Sequence, residues 1–474
     1  MSKSEKGFFK KFTAIHSRKG ENNYVKIFNA IDKQKVYDEA KLLKKFKSEN
    51  FVKHFAVTKK YLFDTILKGL KAYHAKYLIS HQITQLKSEI SILIDRMLYY
   101  EASKHVAKAK KAAYQIEAFP MLLEFLELER NLFGMHTFEN STTKKSAIDQ
   151  EISEVLKKIE NQNFYTNLYD QFYAYLRQHS NFASKEDQKR FSKLLDQPLL
   201  QNINQALSTK AKRSFWAIQA TFATLSGDTE KPFEVSQQVM QLWENKPEII
   251  GEQPTYYWAS ICTHINHLYR SRRIPELKKW IGKLYDFEPT TLNLQISKFE
   301  RYSLYQLSLI ELTQEFNQLD AFVESYEEDK MVYEDLLHNS EQRLILYNIT
   351  HLYIQAQQYS KALEYAQKLT QIKASEVQQD LQRFGFILLA IAAYSLQKSD
   401  LLKQTIMQYQ EFLEGATTVH KYEQLILEVL ATNPVQWANF ADQIQVLRDD
   451  PYEAYGFQYF DLDKWIENIK KGQP

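Results

Sequence analysis

Glycine and proline are scarce in this chain. Its 474 residues include 11 glycines and 10 prolines, together about 4%, where an average protein has about 12%. Sheets and tight loops place these residues at their turns, so a β-rich fold is disfavoured. The frequent residues are good helix formers, namely Leu, Lys, Gln, Glu and Ala. The composition therefore predicts an all-α protein whose helices are joined by short connections.

The chain also has few cysteines and no long apolar run. Cys262 is the only cysteine, which excludes a disulfide framework or a cysteine-based zinc site within one chain. The longest apolar run covers residues 384–394, about half of the roughly 20 residues that a membrane span needs. We interpret this run as a buried helix. Because the N-terminal sequence lacks a signal-like apolar stretch, we expect a cytoplasmic protein with no membrane span.

Common catalytic motifs are absent from the sequence. It contains no G-x-G-x-x-G, G-x-x-x-x-G-K, G-x-S-x-G or H-E-x-x-H, which excludes the usual nucleotide, esterase and zinc-protease motifs. His264 and His267 are three residues apart and share a helix face, as two metal ligands would. No fixed third ligand accompanies them, and Cys262 lies off that face. We interpret all three as packing and groove residues, and expect no enzymatic activity, cofactor or metal.

Charge is distributed unevenly along the chain. Residues 1–120 contain 25 Lys and Arg against 11 Asp and Glu, a net charge of +14, and the remainder has a net charge of −11. The basic region is either a solvated surface or a docking surface for an acidic partner, including the acidic body of a second copy. Residues 58–61 loosely resemble the start of a DNA-reading helix. Nucleic acid is nevertheless disfavoured as a partner, because Arg18 and Arg96 are the only arginines in this region and base contacts favour arginine.

The most informative stretch covers residues 346–369, which the apolar spacing predicts to be two helices joined at Gln357 and Gln358. The small residue at Ala362 lets the two helix backbones approach closely. The apolar face of the first helix consists of Leu346, Ile349, Leu352 and Tyr353, and that of the second of Ala362, Leu363, Ala366 and Leu369.

This pair of helices resembles one tetratricopeptide repeat, a helical hairpin that builds solenoids. Where that pattern prefers Trp, Gly and Phe, this sequence has Leu346, Thr350 and Ala366. Much of the chain also resembles uncharacterised bacterial helical-repeat proteins. The resemblance implies a right-handed superhelical solenoid of stacked antiparallel hairpins. The matching residues are Leu346, Ile349, Thr350, Tyr353 and Ala362.

The pattern recurs with an irregular period of 41 to 44 residues, longer than the tetratricopeptide period of about 34. We predict further helices at 146–162 and 164–179. The markers in successive first helices are Phe215, Trp258, Tyr302, Leu346 and Ile387. The predicted regions are a basic helical region at 1–120, irregular hairpins at 121–208, a tetratricopeptide-like array at 209–432 and capping helices at 433–474.

Stacked hairpins leave a concave surface that is lined by their first helices and binds extended peptides or helices. Tyr347, His351 and Gln355 recur at four-residue spacing, off the apolar stripe of the first helix. We interpret them as candidate protein-binding residues, the alternative being a convex solvent face. The sequence thus predicts a non-enzymatic scaffold that binds a peptide or partner protein along a groove. The alternative is a nucleic-acid-associated regulatory protein that uses the lysine-rich region.

Overall fold

The protein is all-α, as predicted. The described part of the chain contains α-helices and short 3-10 turns and no strand. A computed structural model describes residues 1, 3–15, 23–34, 37–74, 78–135, 141–179, 181–182, 184–333, 336–372, 379–413, 421–431, 438–450, 453 and 456–472.

The chain forms two compact units. The first unit comprises Met1–His267 with Thr290–Leu292, and the second comprises Leu268–Pro289 with Asn293–Pro474. The finer division into four regions stays a prediction. The helices that begin in the first unit are α1 (Lys3–Ile15), α2 (Asn23–Asp32), α3 (Glu39–Lys45), α4 (Phe55–His74), α5 (Ile79–Asp95), α6 (Tyr99–Gln115), α7 (Phe119–Met135), α8 (Ser141–Gln178), α9 (Lys185–Leu195), α10 (Thr209–Leu225), α11 (Glu230–Glu244), α12 (Pro247–Glu252), α13 (Pro254–Arg270) and α15 (Leu292–Thr313), of which α13 and α15 continue into the second. The other helices of the second unit are α14 (Ile274–Asp286), α16 (Leu319–Tyr333), α17 (Asn339–Gln355), α18 (Tyr359–Gln371), α19 (Gln379–Ser395), α20 (Ser399–Leu413), α21 (Lys421–Ala431), α22 (Ala438–Asp449), α23 (Gly456–Tyr459) and α24 (Leu462–Gly472).

Each unit has buried clusters of its own. In the first unit these clusters follow the order of the chain, from α1–α4 through α5–α8 to α8–α10. In the second unit one cluster includes residues from Leu304 to Ile466. Most buried contacts therefore join helices that are close in the sequence. This pattern is typical of helix pairs that pack on their neighbours along the chain.

Among the described residues, five connections between helices contain a left-handed residue and recur at similar spacing, and two further left-handed residues, Met97 and Glu117, lie outside this series. In each of the five, this residue has a left-handed φ, between 52° and 82°. At four of the five, all except Gln314, the N–H that follows it bonds back to the fifth carbonyl before it, as Gln358 does to Tyr353 and Lys398 to Ala393, so the end of the first helix is satisfied. Successive left-handed residues of this series are 45, 42, 43 and 40 residues apart, close to the predicted period. The left-handed residues of the series are Gly227, Arg272, Gln314, Gln357 and Gln397.

Replacing Gln397 by glycine is expected to stabilise the second unit by about 0.5–1 kcal/mol, because a left-handed φ of 56° is strained for any residue with a Cβ. The measurement is the urea midpoint of unfolding. Gly227→Ala is the reciprocal control: its φ is 82° and an added Cβ would meet nothing within 4 Å, so any loss reports backbone strain alone. A lower midpoint for Gln397→Gly would contradict this interpretation.

Helix α8 is continuous over its 38 residues, so the predicted break between 146–162 and 164–179 is wrong. Amide side chains such as those at 161–163 often bond to their own backbone and end a helix. Instead, Asn161 donates to the carbonyl of Gln205 (2.9 Å) and accepts from the N–H of Leu207 (2.9 Å). Because a loop from elsewhere in the chain takes up these amide groups, the helix continues.

The apolar run at 384–394 lies within α19, and residues 384–393 are all buried. The prediction of a buried helix is therefore confirmed. This helix is apolar on every side because it packs against α17, α18, α20 and α21. Gly385 permits the close approach of α18, since a Cβ there would lie 3.1 Å from the side chain of Leu369. Among the described helices, none is long and apolar enough to cross a membrane.

Candidate protein-binding site

The three candidate residues lie along one face of α17. Tyr347 is buried, and His351 and Gln355 are partly buried. The rings of Tyr347 and His351 are nearly parallel, with centroids 6.0 Å apart, and the amide of Gln355 lies 3.4 Å from a ring nitrogen of His351. The structure therefore brings the three side chains into one continuous surface.

That surface is covered by the chain's own C-terminal segment, defined here as residues 456–467. The hydroxyl of Tyr347 donates to the carbonyl of Tyr459, and the two rings meet edge to face at 6.1 Å. The ring of His351 meets that of Phe460 edge to face at 6.3 Å. This helix face therefore holds a segment of chain in the structure. Its role toward an external partner stays a prediction.

Tyr422 of α21 anchors the C-terminal segment. Its hydroxyl donates to the carbonyl of Phe460 (2.6 Å) and accepts from the N–H of Leu462 (3.0 Å). Its ring stacks on Phe457 with centroids 3.8 Å apart. Glycine is required at Gly456, because a Cβ there would lie 2.6 Å from the Tyr422 ring. One side chain therefore binds both the backbone and a ring of the segment.

Burial of large apolar side chains adds to this anchor. Phe460, Leu462, Trp465 and Ile466 are each 7% exposed or less, and full burial of such a side chain stabilises by about 1.5–3 kcal/mol. The ring of Tyr394 in α19 meets Trp465 edge to face at 6.1 Å. The segment is thus bound by α17, α19 and α21 together, through apolar contacts and hydrogen bonds to its backbone.

His351 makes this contact sensitive to pH. Burial lowers the pKa of its imidazole below the ordinary value of 6.5, with Glu311 opposing and Lys464 adding to the shift. The unfolded state then binds more protons below that pH, so the free energy of unfolding decreases as the pH falls from 6.5. The slope is at most about 1.4 kcal/mol per pH unit. The free energy of unfolding, measured with urea between pH 5 and 7.5, should change less steeply with pH in His351→Gln than in the unmodified protein.

The control for this prediction is His54→Gln, because the His54 side chain is exposed. We expect the same pH slope for this variant as for the unmodified protein. If His351→Gln also kept the full slope, the proposed proton linkage at His351 would be wrong.

The first unit has an open cleft on the corresponding face. Tyr347 lies ten residues before the left-handed residue Gln357, and Ala217 of α10 lies ten residues before Gly227. Ala217 is in the wall of a cleft of about 330 Å³ formed by α8, α10, α11 and α13. We call it the Arg213 cleft. Its apolar wall includes Ala217, Ala220, Val235, Val239 and Ala259, and its polar wall includes Lys210, Arg213, Ser214, Tyr256, Ser260 and His267.

The Arg213 guanidinium lies against two aromatic rings, 4.4 Å from the Trp243 centroid and 5.2 Å from that of Tyr256. The Arg213 side chain is partly buried. It donates one hydrogen bond, to Oε1 of Gln253 (3.1 Å), and its Nε has no partner among the residues that the structure describes. Burial lowers the pKa of Arg213 to about 10, and Tyr256 and Glu117 only partly oppose this. Within the described residues no carboxylate pairs with this cation.

A buried arginine of the second unit shows the contrast. Arg383 in α19 is 3% exposed at its side chain, and its Nε lies 3.0 and 2.9 Å from the two oxygens of Glu423. Asp380 accepts from its Nη2. These carboxylates raise the pKa of Arg383 against the effect of burial. The fold therefore supplies acidic partners to one buried guanidinium and none, in its described part, to that of Arg213.

The residues considered as metal ligands have other contacts. His264 is 3% exposed, and its Nδ1 lies 2.7 Å from the hydroxyl of Ser236. Cys262 is buried, whereas His267 lines the Arg213 cleft. Within the described ranges no three His, Cys, Asp or Glu side chains form a group able to hold a metal ion.

Sequence reasoning did not single out Arg213. The available signal is the three-residue spacing of Lys210 and Arg213, which places two cations on one face of α10, beside the small residues Ala217 and Ala220. Comparison of the chain with protein-family models, curated proteins and solved structures finds no significant match in any of the three.

Proposed function

We propose that this protein is a non-enzymatic scaffold of the cytoplasm that binds a peptide, or a segment of a partner protein, on the faces of its helix pairs. In this proposal the pairs stack in the manner of tetratricopeptide hairpins into a right-handed superhelix, and the first helix of each pair lines the concave surface. The partner is held as the C-terminal segment is held, by apolar side chains and by hydrogen bonds to its backbone.

One observation carries the proposal: the face that holds the chain's own segment in the second unit is open in the first. Tyr347 and Ala217 occupy the same position relative to their turns. Tyr347 bonds to Tyr459, whereas Ala217 borders a cleft of about 330 Å³. That volume lies at the lower end of the range for ligand sites, and the mixture of apolar wall and polar groups is typical of such sites.

The test is to fill the cleft. Ala217→Trp places a large ring in the space that the partner would occupy, and we expect tagged protein with this change to lose a partner that the unmodified protein captures from source cells. Ala56→Trp in α4 is the matched control, because Ala56 is exposed and outside the cleft. Recovery of the same partner by both variants would remove the cleft from the binding surface.

A further inference from the structure

We infer that the Arg213 cleft binds a carboxylate carried on an apolar body, such as an acidic side chain within a partner peptide. This inference deepens the proposed function, on which it rests, by naming the class of ligand. It has three supports: the uncompensated charge, the shape of the cleft and the balance of charges along its wall.

The first support is the cost of a partly buried cation that has no carboxylate partner among the described residues. Removing a guanidinium from water is unfavourable unless carboxylates or hydrogen bonds replace the water. Arg383 has such replacement from Glu423 and Asp380, whereas Arg213 has one bond to a neutral amide. Of these two arginines, the one that borders the cleft has no acidic partner among the described residues. A ligand carboxylate would supply the negative counter-charge that the described residues do not provide to Arg213.

The second support is the preorganised position of the charge. Trp243 is fully buried and its indole nitrogen donates to Ser260 (3.0 Å), so the ring beneath the guanidinium is fixed. Gln253 holds one edge of Arg213. A planar cation fixed in this way loses little conformational entropy on binding a planar carboxylate, which favours recognition of that group over a diffuse negative charge.

The third support is the composition of the wall. Lys210 lies one turn before Arg213 and is exposed, and Asp170 is the acidic residue that borders the cleft. The cationic side chains therefore outnumber the anionic one. Ala217, Ala220 and the two valines of α11 form the apolar part, which fits the methylene or isopropyl groups of a side chain that carries or neighbours the carboxylate.

The test uses the full chain and two probes. One is a fluorescein-labelled peptide of three Leu-Glu repeats, compared with the same peptide in which glutamine replaces glutamate. The other is glutarate, a small dicarboxylate, measured as a competitor. We expect the acidic peptide to bind at least about tenfold more tightly than the neutral one, with binding that weakens as salt increases. Direct binding of glutarate in calorimetry, without binding of the acidic peptide, would overturn the peptide assignment and identify a small carboxylate as the ligand of this site.

Arg213→Gln should reduce the affinity of the acidic probe at least about tenfold, and Lys210→Gln severalfold, while neither changes binding of the neutral peptide. The second variant alters an exposed residue, so it tests the site even if the first does not fold. Arg190→Gln is the matched control: Arg190 also lies over a ring, that of Phe191 (4.8 Å), but pairs with Asp187 (3.7 Å).

A stability measurement separates a binding role from a structural one. Arg213→Met keeps the apolar stem and removes the unpaired charge, so we expect its thermal midpoint to be equal to or above that of the unmodified protein. A lower midpoint combined with unchanged probe binding would overturn the inference. Equal binding of acidic and neutral peptides, or no binding of either probe, would also overturn it. Loss of partner capture in Ala217→Trp is independent of these outcomes, so the proposed function can stand while the ligand class falls.

Discussion

Glu423→Gln is expected to lower the free energy of unfolding of the second unit by about 3–5 kcal/mol, because it leaves the buried Arg383 cation without its main counter-charge. Glu423 is fully buried, and both of its oxygens accept from the Arg383 guanidinium. The hydroxyl of Tyr409 also donates to it (2.6 Å), and burial together with that carboxylate raises the pKa of the Tyr409 phenol. A glutamine keeps the shape, but its amide nitrogen faces donors.

Urea unfolding, followed by circular dichroism, checks this value. Glu411→Gln is the matched control, since Glu411 lies on the neighbouring α20 and is exposed; its effect should stay within about 0.5 kcal/mol. Combining Glu423→Gln with Arg383→Met should cost less than the sum of the two single changes, because they share one interaction. A loss below 1 kcal/mol for Glu423→Gln, with unchanged helix content, would show that the pair is not buried as described.

Tyr422→Ala is expected to cost about 3–5 kcal/mol, since it removes a fully buried ring and leaves a cavity. Most of this loss should appear as detachment of the C-terminal segment. The ring stacks on Phe457, and its hydroxyl bonds to Phe460 and Leu462. Hydrogen exchange of the Leu462 amide should then become at least about a hundredfold faster.

One further variant separates the contribution of the Tyr422 hydroxyl from that of its ring, and a second variant is the control. Tyr422→Phe keeps the ring and leaves the carbonyl of Phe460 and the N–H of Leu462 without this partner, a loss of about 1–3 kcal/mol. Tyr285→Ala, at a side chain that is 60% exposed, should change stability by less than about 1 kcal/mol. If the Leu462 amide stayed protected in Tyr422→Ala, the segment would be held mainly by other contacts.

Local pattern predicted the helices well where each apolar side chain packs on a sequence neighbour. The two helices and the turn predicted within 346–369 are confirmed as α17 and α18, with Gln357 in the left-handed turn conformation. The N-cap of α9 is likewise local, since the hydroxyl of Ser184 accepts from the N–H of Asp187 (3.0 Å), three residues later. In these cases the relevant contacts lie within one or two turns of helix, where residue spacing specifies them.

Contacts between distant residues were not predictable in this way. The spacing of Tyr347 placed it off the apolar stripe of α17, but its partner Tyr459 is 112 residues later in the chain. The continuity of α8 likewise depends on a loop that binds Asn161 from 44 and 46 residues away. Residue spacing within one helix assigns a side chain outside the apolar stripe to solvent. It does so even where a distant segment of the chain packs on that side chain.

The Arg213 cleft was missed for a related reason. In sequence, Arg213 follows two lysines at the start of an amphipathic helix and resembles a solvated cation. Its burial comes from Trp243 and Tyr256, on two other helices, and from Gln253 between them. Charge patterning reports the sign of a side chain, whereas its desolvation depends on these tertiary neighbours. The lack of a carboxylate partner is visible only once the surrounding residues are placed.

Site-specific photo-cross-linking in source cells shows whether a partner segment occupies the Arg213 cleft. A benzoylphenylalanine at position 220, in the wall of the Arg213 cleft, should give a discrete cross-linked species that the acidic Leu-Glu peptide suppresses in lysate. The same amino acid at position 331 of α16, where Met331 is 70% exposed, should not give that species. If position 331 yielded the species and position 220 did not, a partner segment would be binding elsewhere and the account would be contradicted.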